Sequence, residues 1–260
     1  MIPHWGISKI AIPTTAGSGS EATPIAILSD VQEKLKKGIV SHFLFPDVSI
    51  LDPVLTIGLP PEITASTGMD ALVHAIEAYT SINATSLTDI LAFKAMGLIY
   101  DNLRTAYANG SNLDARNQML MASNLAGISF ANAGVTAVHA FAYPIGGEYH
   151  LPHGVANALM LPHVMRFNML GNLAKFADIA VAFGERVEKL SRLESAEIAI
   201  NAVERLANDI NVPRRLRDFD ITDKDIPRLA EGVLKVTRLL ANNPRRVTLK
   251  DAIHIYESAY

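Results

Sequence analysis

Three histidines lie within the sixteen residues HAFAYPIGGEYHLPHG, which run from position 139 to position 154. Imidazole is a common metal ligand in proteins, and core packing alone does not require three of them in so short a stretch. His139 and His153 stand fourteen residues apart on either side of a Pro-Ile-Gly-Gly segment, which is typical of a turn. A helix that ends at this turn and another that begins after it would bring both imidazoles to one point.

The remaining ligands of such a site are expected from Asp70-Ala-Leu-Val-His74, where a carboxylate and an imidazole are four residues apart. On a helix these two side chains share one face, about 40° apart around the axis and roughly 6 Å along it. Two roles stay open for Glu77, one turn after His74: it orients His74 by accepting a hydrogen bond, or it is an ordinary acid of the helix.

One carboxylate and three imidazoles suit Fe²⁺ or Zn²⁺, and they are too rich in nitrogen for Ca²⁺ or Mg²⁺. The candidate ligands are Asp70, His74, His139 and His153. The residues alone leave open an alternative, in which the histidines are packed core residues and the acid belongs to an ordinary pair on a helix surface.

Composition excludes several other functions. The 260 residues carry a net charge of -3, so no basic surface is available for nucleic acid or an anionic membrane. The absence of cysteine removes disulfides, thiolate zinc sites, iron–sulfur clusters and cysteine nucleophiles.

No signal peptide is recognisable, and a cytoplasmic location fits. The uncharged run at 117–147 contains Asn, His and Pro, which indicates buried helix and loop rather than a membrane span.

The order of elements predicts a β-rich segment over residues 1–58 and an all-helical domain over 59–260. Short apolar runs broken by charge and proline fill the first part, and Pro60-Pro61-Glu62 is typical of a helix start. Amphipathic segments then follow to the C-terminus, including one at 225–246, and the run at 115–134 is apolar on all sides and therefore expected to be central. Two Thr-x-x-Asp motifs, at Thr222 and Thr248, predict helix caps.

Four stretches resemble the iron-containing (group III) alcohol dehydrogenases, relatives of glycerol dehydrogenase and dehydroquinate synthase. They are IPTTAGSGSE, LPPEITASTGMDALVHAIEAY, VHAFAYPIGGEYHLPHGVANALMLPHVMRFN and the late NNPR. The resemblance implies a mainly α fold, in which a helical metal-binding domain follows the β-rich remnant of an α/β nucleotide-binding domain. In that family one Asp and three His bind iron or zinc, and they match Asp70, His74, His139 and His153.

The resemblance also implies chemistry and partners. The metal would act as a Lewis acid on a small alcohol or carbonyl substrate, NAD or NADP would carry the hydride, and a homodimer is expected. The loop after the first strand resembles the family's second cofactor segment, although alone it would be an ordinary turn. The residues expected to contact the cofactor are Thr14, Thr15, Gly17, Ser18 and Ser20, with Lys37 (or Lys36) and Thr56 as further candidates.

Two departures from the family pattern stand out. Tyr143 takes the place of a histidine associated with proton transfer, so it is the candidate catalytic residue, although its pKa near 10 makes it a poorer proton shuttle. Branches resembling hydroxyacid–oxoacid transhydrogenases are similar at this position.

The Gly-rich turn of the family's N-terminal half is also missing. The chain is therefore expected to hold metal and to bind dinucleotide weakly or not at all. The alternatives are a non-catalytic, self-associating relative and a metal hydrolase.

Overall fold

The computed structural model describes residues 6–30 and 35–260, which form a mainly helical protein, as the sequence predicts. The strands are β1 (Ile10–Ala11), β2 (Ile25–Asp30), β3 (Leu35–Val40) and β4 (Val48–Ser49). β1 pairs in parallel with β4, whereas β2 and β3 form an antiparallel pair. Within the described residues, the predicted β-rich segment therefore consists of two small, separate sheets.

The helices follow from residue 61 to the end of the chain. They are α1 (Pro61–Thr80), α2 (Ser86–Ala108), α3 (Leu113–Ala133), α4 (Ala137–Glu148), α5 (His153–Asn168), α6 (Leu173–Ala182), α7 (Arg192–Asp209), α8 (Ile226–Leu234), α9 (Thr237–Leu240) and α10 (Leu249–Ser258). Short 3-10 turns lie at Ser20–Ala22, His42–Leu44, Pro53–Thr56, Met169–Gly171, Leu216–Phe219 and Asp223–Asp225.

The central helix of the domain is α1, not α3 as predicted. Nearly every residue of α1 from Thr64 to Thr80 is buried, and the helix packs against α2, α3 and α5. By contrast, Met121 and Ile128 of α3 are 43% and 36% exposed. The uniform apolarity of α3 therefore overstates its burial, because single exposed apolar side chains are normal at protein surfaces.

Several predicted boundaries are confirmed. The Pro60-Pro61-Glu62 sequence starts α1, because proline is tolerated where the first N–H groups have no partner inside the helix. Thr222 and Thr248 both form capping boxes with the aspartate three residues later. The segment predicted at 225–246 is broken, however. Val236 takes φ −85° and ψ 52°, and its carbonyl accepts the first bonds of α9.

The predicted Pro-Ile-Gly-Gly turn is wrong. Pro144 lies inside α4, and the chain reverses later, at residues 149–152, where His150 has φ 56°. Local sequence favours a break at a proline that removes one helical bond. Packing outweighs that preference, because Phe141 and Ile145 of the same helix are completely buried. His139 consequently lies in the first turn of α4, at its N-terminal end, rather than at the C-terminal end of a helix that stops at Pro144.

The loop before β2 rests directly on two helices. An ideal Cβ at Gly17 would lie 2.7 Å from the Thr67 Cβ on α1. Gly19 has φ 59°, and a Cβ there would lie 2.7 Å from the Gly127 Cα on α3. Only glycine permits this backbone conformation together with so close an approach. The two glycines therefore fix the loop against α3 and against α1, the helix that carries Asp70 and His74.

No single helix among the described residues is both long and apolar enough to span a membrane. Only α3 and α4 together meet that test, and they are bent by 103° relative to each other. The division of the chain into domains at residues 58 and 59 stays a prediction.

Candidate metal centre

Helix α1 provides the first two candidate ligands. Asp70 and His74 are one turn apart, as the spacing predicts, and they are only 7% and 6% exposed. Asp70 faces α5, where its Oδ1 accepts a hydrogen bond from Asn157. His74 faces α4, where its Nε2 lies 3.2 Å from Nε2 of His139. The central helix thus presents both ligand types to the two helices that carry the other candidates.

The other two ligands lie in the first turns of α4 and α5. His139 is the third residue of α4, and His153 is the first residue of α5. Gly154 lets α5 approach α1 very closely, because an ideal Cβ at this position would lie 2.2 Å from the Ser66 carbonyl oxygen. This approach places His153 Nε2 3.8 Å from Asp70 Oδ1.

The four predicted ligands meet, although not all equally closely. Donor atoms of Asp70, His139 and His153 lie within 4.8 Å of one another. His74 joins this group through its 3.2 Å contact with His139. Two nitrogens bound to one zinc ion at about 2.1 Å in a tetrahedral arrangement would lie about 3.4 Å apart, so this spacing suits a shared cation.

Hydrogen bonds fix the orientation of the two buried imidazoles. The Nδ1–H of His139 donates to Glu77 Oε2 at 2.5 Å, and the Nδ1–H of His74 donates to the Gly17 carbonyl at 3.3 Å. Each neutral ring then has its lone pair on Nε2. Two lone pairs facing each other at 3.2 Å repel unless a cation or a proton lies between them. The donor set therefore fits a divalent metal such as Fe²⁺ or Zn²⁺.

Glu77 contacts a different ligand from the one predicted. It lies on α1 one turn after His74, but its Oε2 binds His139, and its Oε1 accepts from Thr136 Oγ1 at 2.8 Å and from the Val138 N–H at 2.6 Å. His74 and Glu77 are three residues apart and share one face of α1, so both side chains face α4 and contact His139. This carboxylate anchors the start of α4.

Charge and burial oppose each other at the centre. Burial lowers the pKa of His74 to about 4, so this ring is neutral at pH 7 and ready to bind a metal. Burial also acts to lower the pKa of His139, but the Glu77 carboxylate outweighs it and raises that pKa. Burial acts to raise the pKa of Asp70, but the surrounding imidazoles outweigh it and keep the carboxyl ionised.

Asn157 completes the cluster, and the sequence interpretation missed it. It lies on α5 one turn after His153 and is completely buried. Its Nδ2 lies 2.7 Å from Asp70 Oδ1, 3.2 Å from His139 Nε2 and 3.1 Å from His153 Nε2. The four-residue spacing from a candidate ligand, the same spacing that selects Asp70 and His74, could have identified it.

Tyr143 lies beside the candidate centre. Its ring is edge-on to His139, with centroids 6.5 Å apart, and 6.2 Å from the ring of His153. The residue is 38% exposed, yet burial of its hydroxyl raises its pKa above the ordinary 10. Its hydroxyl therefore stays protonated at neutral pH and can donate a hydrogen bond on the exposed side of the candidate centre.

The predicted cofactor loop adjoins the candidate metal centre. Thr14, Ser18 and Ser20 are exposed and Thr15 is half-buried. The buried Gly17 contacts His74 through its carbonyl oxygen. Ser18 Oγ donates to Ser20 Oγ at 3.1 Å and accepts from the Ser20 N–H, which closes a local turn. These hydroxyls flank Gly17 in the chain, and the Gly17 carbonyl oxygen is the loop's contact with His74 among the described hydrogen bonds.

Two further cofactor candidates lie outside this loop in the sequence. Thr56 is buried, and its hydroxyl donates to the Pro53 carbonyl at 2.8 Å, which completes a 3-10 turn. Lys37 lies in β3, and its side chain, like that of Lys36, lies outside the part of the chain that the structure describes.

Comparison with protein families gives two adjoining matches. The model described as "Fe-containing alcohol dehydrogenase family, C-terminal" matches residues 64–260, and the model described as "Iron-containing alcohol dehydrogenase" matches residues 2–53. Among curated proteins, the 1,3-propanediol dehydrogenase of Citrobacter freundii is 48% identical over 251 residues, which cover 96% of this chain and 65% of that protein. The chain thus spans about 65% of the length of such relatives.

Solved structures give the same picture. A 1,3-propanediol oxidoreductase has a TM-score of 0.97 and 47% identity, covering 100% of this chain and 68% of the other. The sulfoacetaldehyde reductase of Bifidobacterium kashiwanohense, solved in complex with NAD+, has a TM-score of 0.90 and 33% identity, covering 99% and 66%. The fold predicted from the resemblance is confirmed.

Proposed function

This chain belongs to the iron-containing alcohol dehydrogenase family, and we propose that it forms the metal-binding part of an NAD(P)-linked enzyme. The enzyme would interconvert small alcohols with aldehydes or ketones. The observation that carries the proposal is the convergence of one carboxylate and three imidazoles from three helices, with the lone pairs of two imidazoles directed at each other. When both rings are neutral, a cation bound between their Nε2 atoms removes the repulsion of the two lone pairs.

Asp70, His74, His139 and His153 would hold the ion, with Fe²⁺ preferred and Zn²⁺ as the alternative. Once bound, the ion supplies Lewis acidity for the oxygen of an alcohol or carbonyl. The candidate ligands differ in their exposure to solvent. His74 and His139 are buried, whereas the side chain of His153 is 45% exposed. Substrate therefore approaches on the side of His153 and Tyr143.

Tyr143 would act on this exposed side of the centre as a hydrogen-bond donor to the substrate oxygen. Among the described residues its hydroxyl makes no hydrogen bond, and its raised pKa keeps the proton on the hydroxyl. A neutral donor can orient a carbonyl, but it transfers a proton less readily than an imidazole. Replacement of Tyr143 by Phe should therefore raise KM for the carbonyl substrate more than it lowers kcat.

The cofactor would lie along the loop that contains Thr14, Ser18 and Ser20. The hydrogen bond from His74 Nδ1 to the Gly17 carbonyl joins this loop to the metal site. We infer from it that the nicotinamide end of NAD or NADP would lie close to the metal. Hydride must pass to such a cofactor, because no amino-acid side chain of the site can carry it.

The experiment is reconstitution with Fe²⁺ or Zn²⁺ under anaerobic conditions, followed by calorimetric titration with NAD+ and NADP+ and an assay of NAD(P)H oxidation with small aldehydes. The proposal predicts one tightly bound metal ion per chain, weak but saturable dinucleotide binding, and aldehyde-dependent oxidation that disappears in Asp70→Ala. A chain that binds metal but no dinucleotide would support the non-catalytic alternative.

Self-association is a second proposal, and it rests on a different observation. Ile10 and Ile12 near β1 and Val48 and Ile50 near β4 are between 44% and 64% exposed, and they form an apolar ribbon at the small parallel sheet. Such exposed patches favour association. Light scattering of the chain should give the mass of a dimer, and a monomer at micromolar concentration would contradict this proposal.

A further inference from the structure

A second cavity lies between the later turns of α5, the last turns of α7, the segment that follows α7 and the end of α10. Its volume is about 580 Å³, within the range of about 300–1,000 Å³ that is common for small-molecule sites. His163, one of its lining residues, follows His153 by ten residues on α5, which is about 15 Å along the helix axis. The cavity is therefore separate from the candidate metal centre.

The lining combines apolar surface with basic side chains. Alanine, leucine and proline side chains provide the apolar part, and among them are Leu159 and Pro162 of α5. The basic part comes from the segment after α7, which contributes Arg214, Arg215 and Arg217. This combination suits a small organic molecule that carries an anionic group.

The positive charge of the cavity is poorly compensated. Glu204 is the only acidic side chain among the described lining residues, and it already lies 3.5 Å from Nη2 of Arg166. Arg214 donates through Nη1 to the neutral amide oxygen of Asn208 at 2.9 Å. The side chain of Arg217 forms no hydrogen bond or ion pair with any other residue that the structure describes. Guanidinium donors are therefore available to an anion.

The backbone that carries these arginines is fixed. Leu216 is completely buried, and its N–H donates to the carbonyl of Ala259 at 2.9 Å, which ties the segment to the end of α10. Leu216 also begins the 3-10 turn Leu216–Phe219. A fixed backbone reduces the entropy that Arg214 and Arg217 would lose when they hold a ligand.

His163 is sensitive to the charge of the cavity. Its Nδ1 lies 3.0 Å from Ser258 Oγ, and that hydroxyl donates its own hydrogen to the Ile255 carbonyl at 2.7 Å, so the ring is the donor to Ser258. Burial, together with the charges of Arg166 and Arg214, lowers the pKa of His163 to about 4. An anion beside these arginines would offset their charge and raise this pKa.

We propose that this cavity binds a small organic anion, whose phosphate or carboxylate group contacts Arg214 and Arg217 and whose apolar part packs on Leu159 and Pro162. A guanidinium presents a planar fork of N–H donors that matches the oxygens of either group. The inference goes beyond the proposed function and does not depend on it, because no residue of the metal centre lines this cavity.

The experiment is calorimetric titration of the zinc-loaded chain with phenyl phosphate, inorganic phosphate and succinate at low ionic strength, where screening is weak. The wild type is compared with the double variant Arg214→Gln/Arg217→Gln, which removes two charges and keeps side chains of similar length. Arg192→Gln is the matched control, because Arg192 is an exposed arginine of α7 that does not line the cavity.

We expect phenyl phosphate to saturate one site per chain and to bind about tenfold more tightly than inorganic phosphate, because its ring packs on the apolar surface. The double variant should bind it at least about tenfold more weakly, and the control should match the wild type. Tighter binding of succinate than of inorganic phosphate would assign the site to carboxylates, and the reverse order would assign it to phosphate esters.

Equal affinity of the wild type and the double variant, which binding to the zinc ion itself would also give, would overturn the inference and leave the proposed function intact. The absence of saturable binding of all three probes would overturn it as well.

A second measurement needs no change to the arginines. The pKa of His163 is followed by NMR of the ¹⁵N-labelled imidazole with and without phenyl phosphate, and His163→Gln identifies its signal. The inference predicts a higher pKa in the presence of phenyl phosphate. An unchanged pKa at a saturating concentration would refute it.

Discussion

Gly154→Ala tests how closely the geometry of the candidate centre depends on one helix contact. Gly154 follows His153 at the start of α5, and an added Cβ would lie 2.2 Å from the backbone carbonyl oxygen of Ser66. Ordinary van der Waals contact begins at 3.4 Å. Because a backbone carbonyl inside the buried α1 cannot rotate away, the two helices must separate by about 1.2 Å, the difference between these two distances.

This separation has two consequences. Overpacking of this kind costs about 1–3 kcal/mol, and each kcal/mol lowers the melting temperature by about 2–4 °C in a protein of this size. The shift also moves His153 away from Asp70; His153 Nε2 lies 3.8 Å from Asp70 Oδ1. Metal affinity should therefore fall, by about tenfold or more, since a small displacement of one ligand weakens every bond to a shared ion.

The assay combines thermal unfolding with a competitive Zn²⁺ titration of the same samples. Gly147→Ala is the matched control, because a Cβ there meets nothing within 4 Å and alanine favours helix over glycine by up to about 1 kcal/mol. The control should be as stable as the wild type or slightly more stable, with unchanged metal affinity. A Gly154→Ala protein with wild-type melting temperature and wild-type affinity would contradict the close contact described between α1 and α5.

Three other predictions follow from named contacts. Glu77→Gln removes the charged acceptor of an imidazole N–H and should weaken Zn²⁺ binding about 10–100-fold in a competition titration, whereas Glu62→Gln, an exposed change on the same helix, should not. Gly19→Ala combines a φ of 59° with a 2.7 Å approach to Gly127 and should lower stability by about 1–3 kcal/mol in urea unfolding; a neutral result would contradict the packing described for this loop. Burial lowers the pKa of His163 from 6.5 to about 4, so the unfolded chain binds more protons and stability should fall as pH drops from 6.5 toward 4. His163→Gln should remove about 1–3 kcal/mol of that loss, measured as the difference between unfolding at pH 5 and pH 7.5, and an equal slope in both proteins would contradict it.

Features set by neighbouring residues were predictable from the sequence. The start of α1 at Pro61 and the capping boxes at Thr222 and Thr248 depend on atoms three or four residues apart, so the local sequence contains the whole explanation. The same holds for Asp70 and His74, whose separation along one helix follows directly from helical geometry. These elements required no knowledge of the tertiary structure.

Features set by contacts between helices were not predictable from the sequence. Pro144 continues α4 because tertiary burial of its neighbours outweighs local preference, so the predicted turn was misplaced by several residues. Glu77 extends to His139 rather than to the nearer His74, and Asn157 joins ligands from two other helices. Each of these contacts joins residues at least 18 positions apart in the chain. Spacing along a single helix can select a candidate such as Asn157, but it cannot specify which residues of other helices that candidate contacts.

The most direct test of the central claim is elemental analysis of metal bound to the reconstituted, desalted chain. The wild type is compared with His139→Ala and with His254→Ala, whose imidazole is 82% exposed and far along the chain from the cluster. We expect one iron or zinc ion per chain in the wild type and in His254→Ala, and almost none in His139→Ala. Stoichiometric metal in His139→Ala, or none in the wild type, would contradict it.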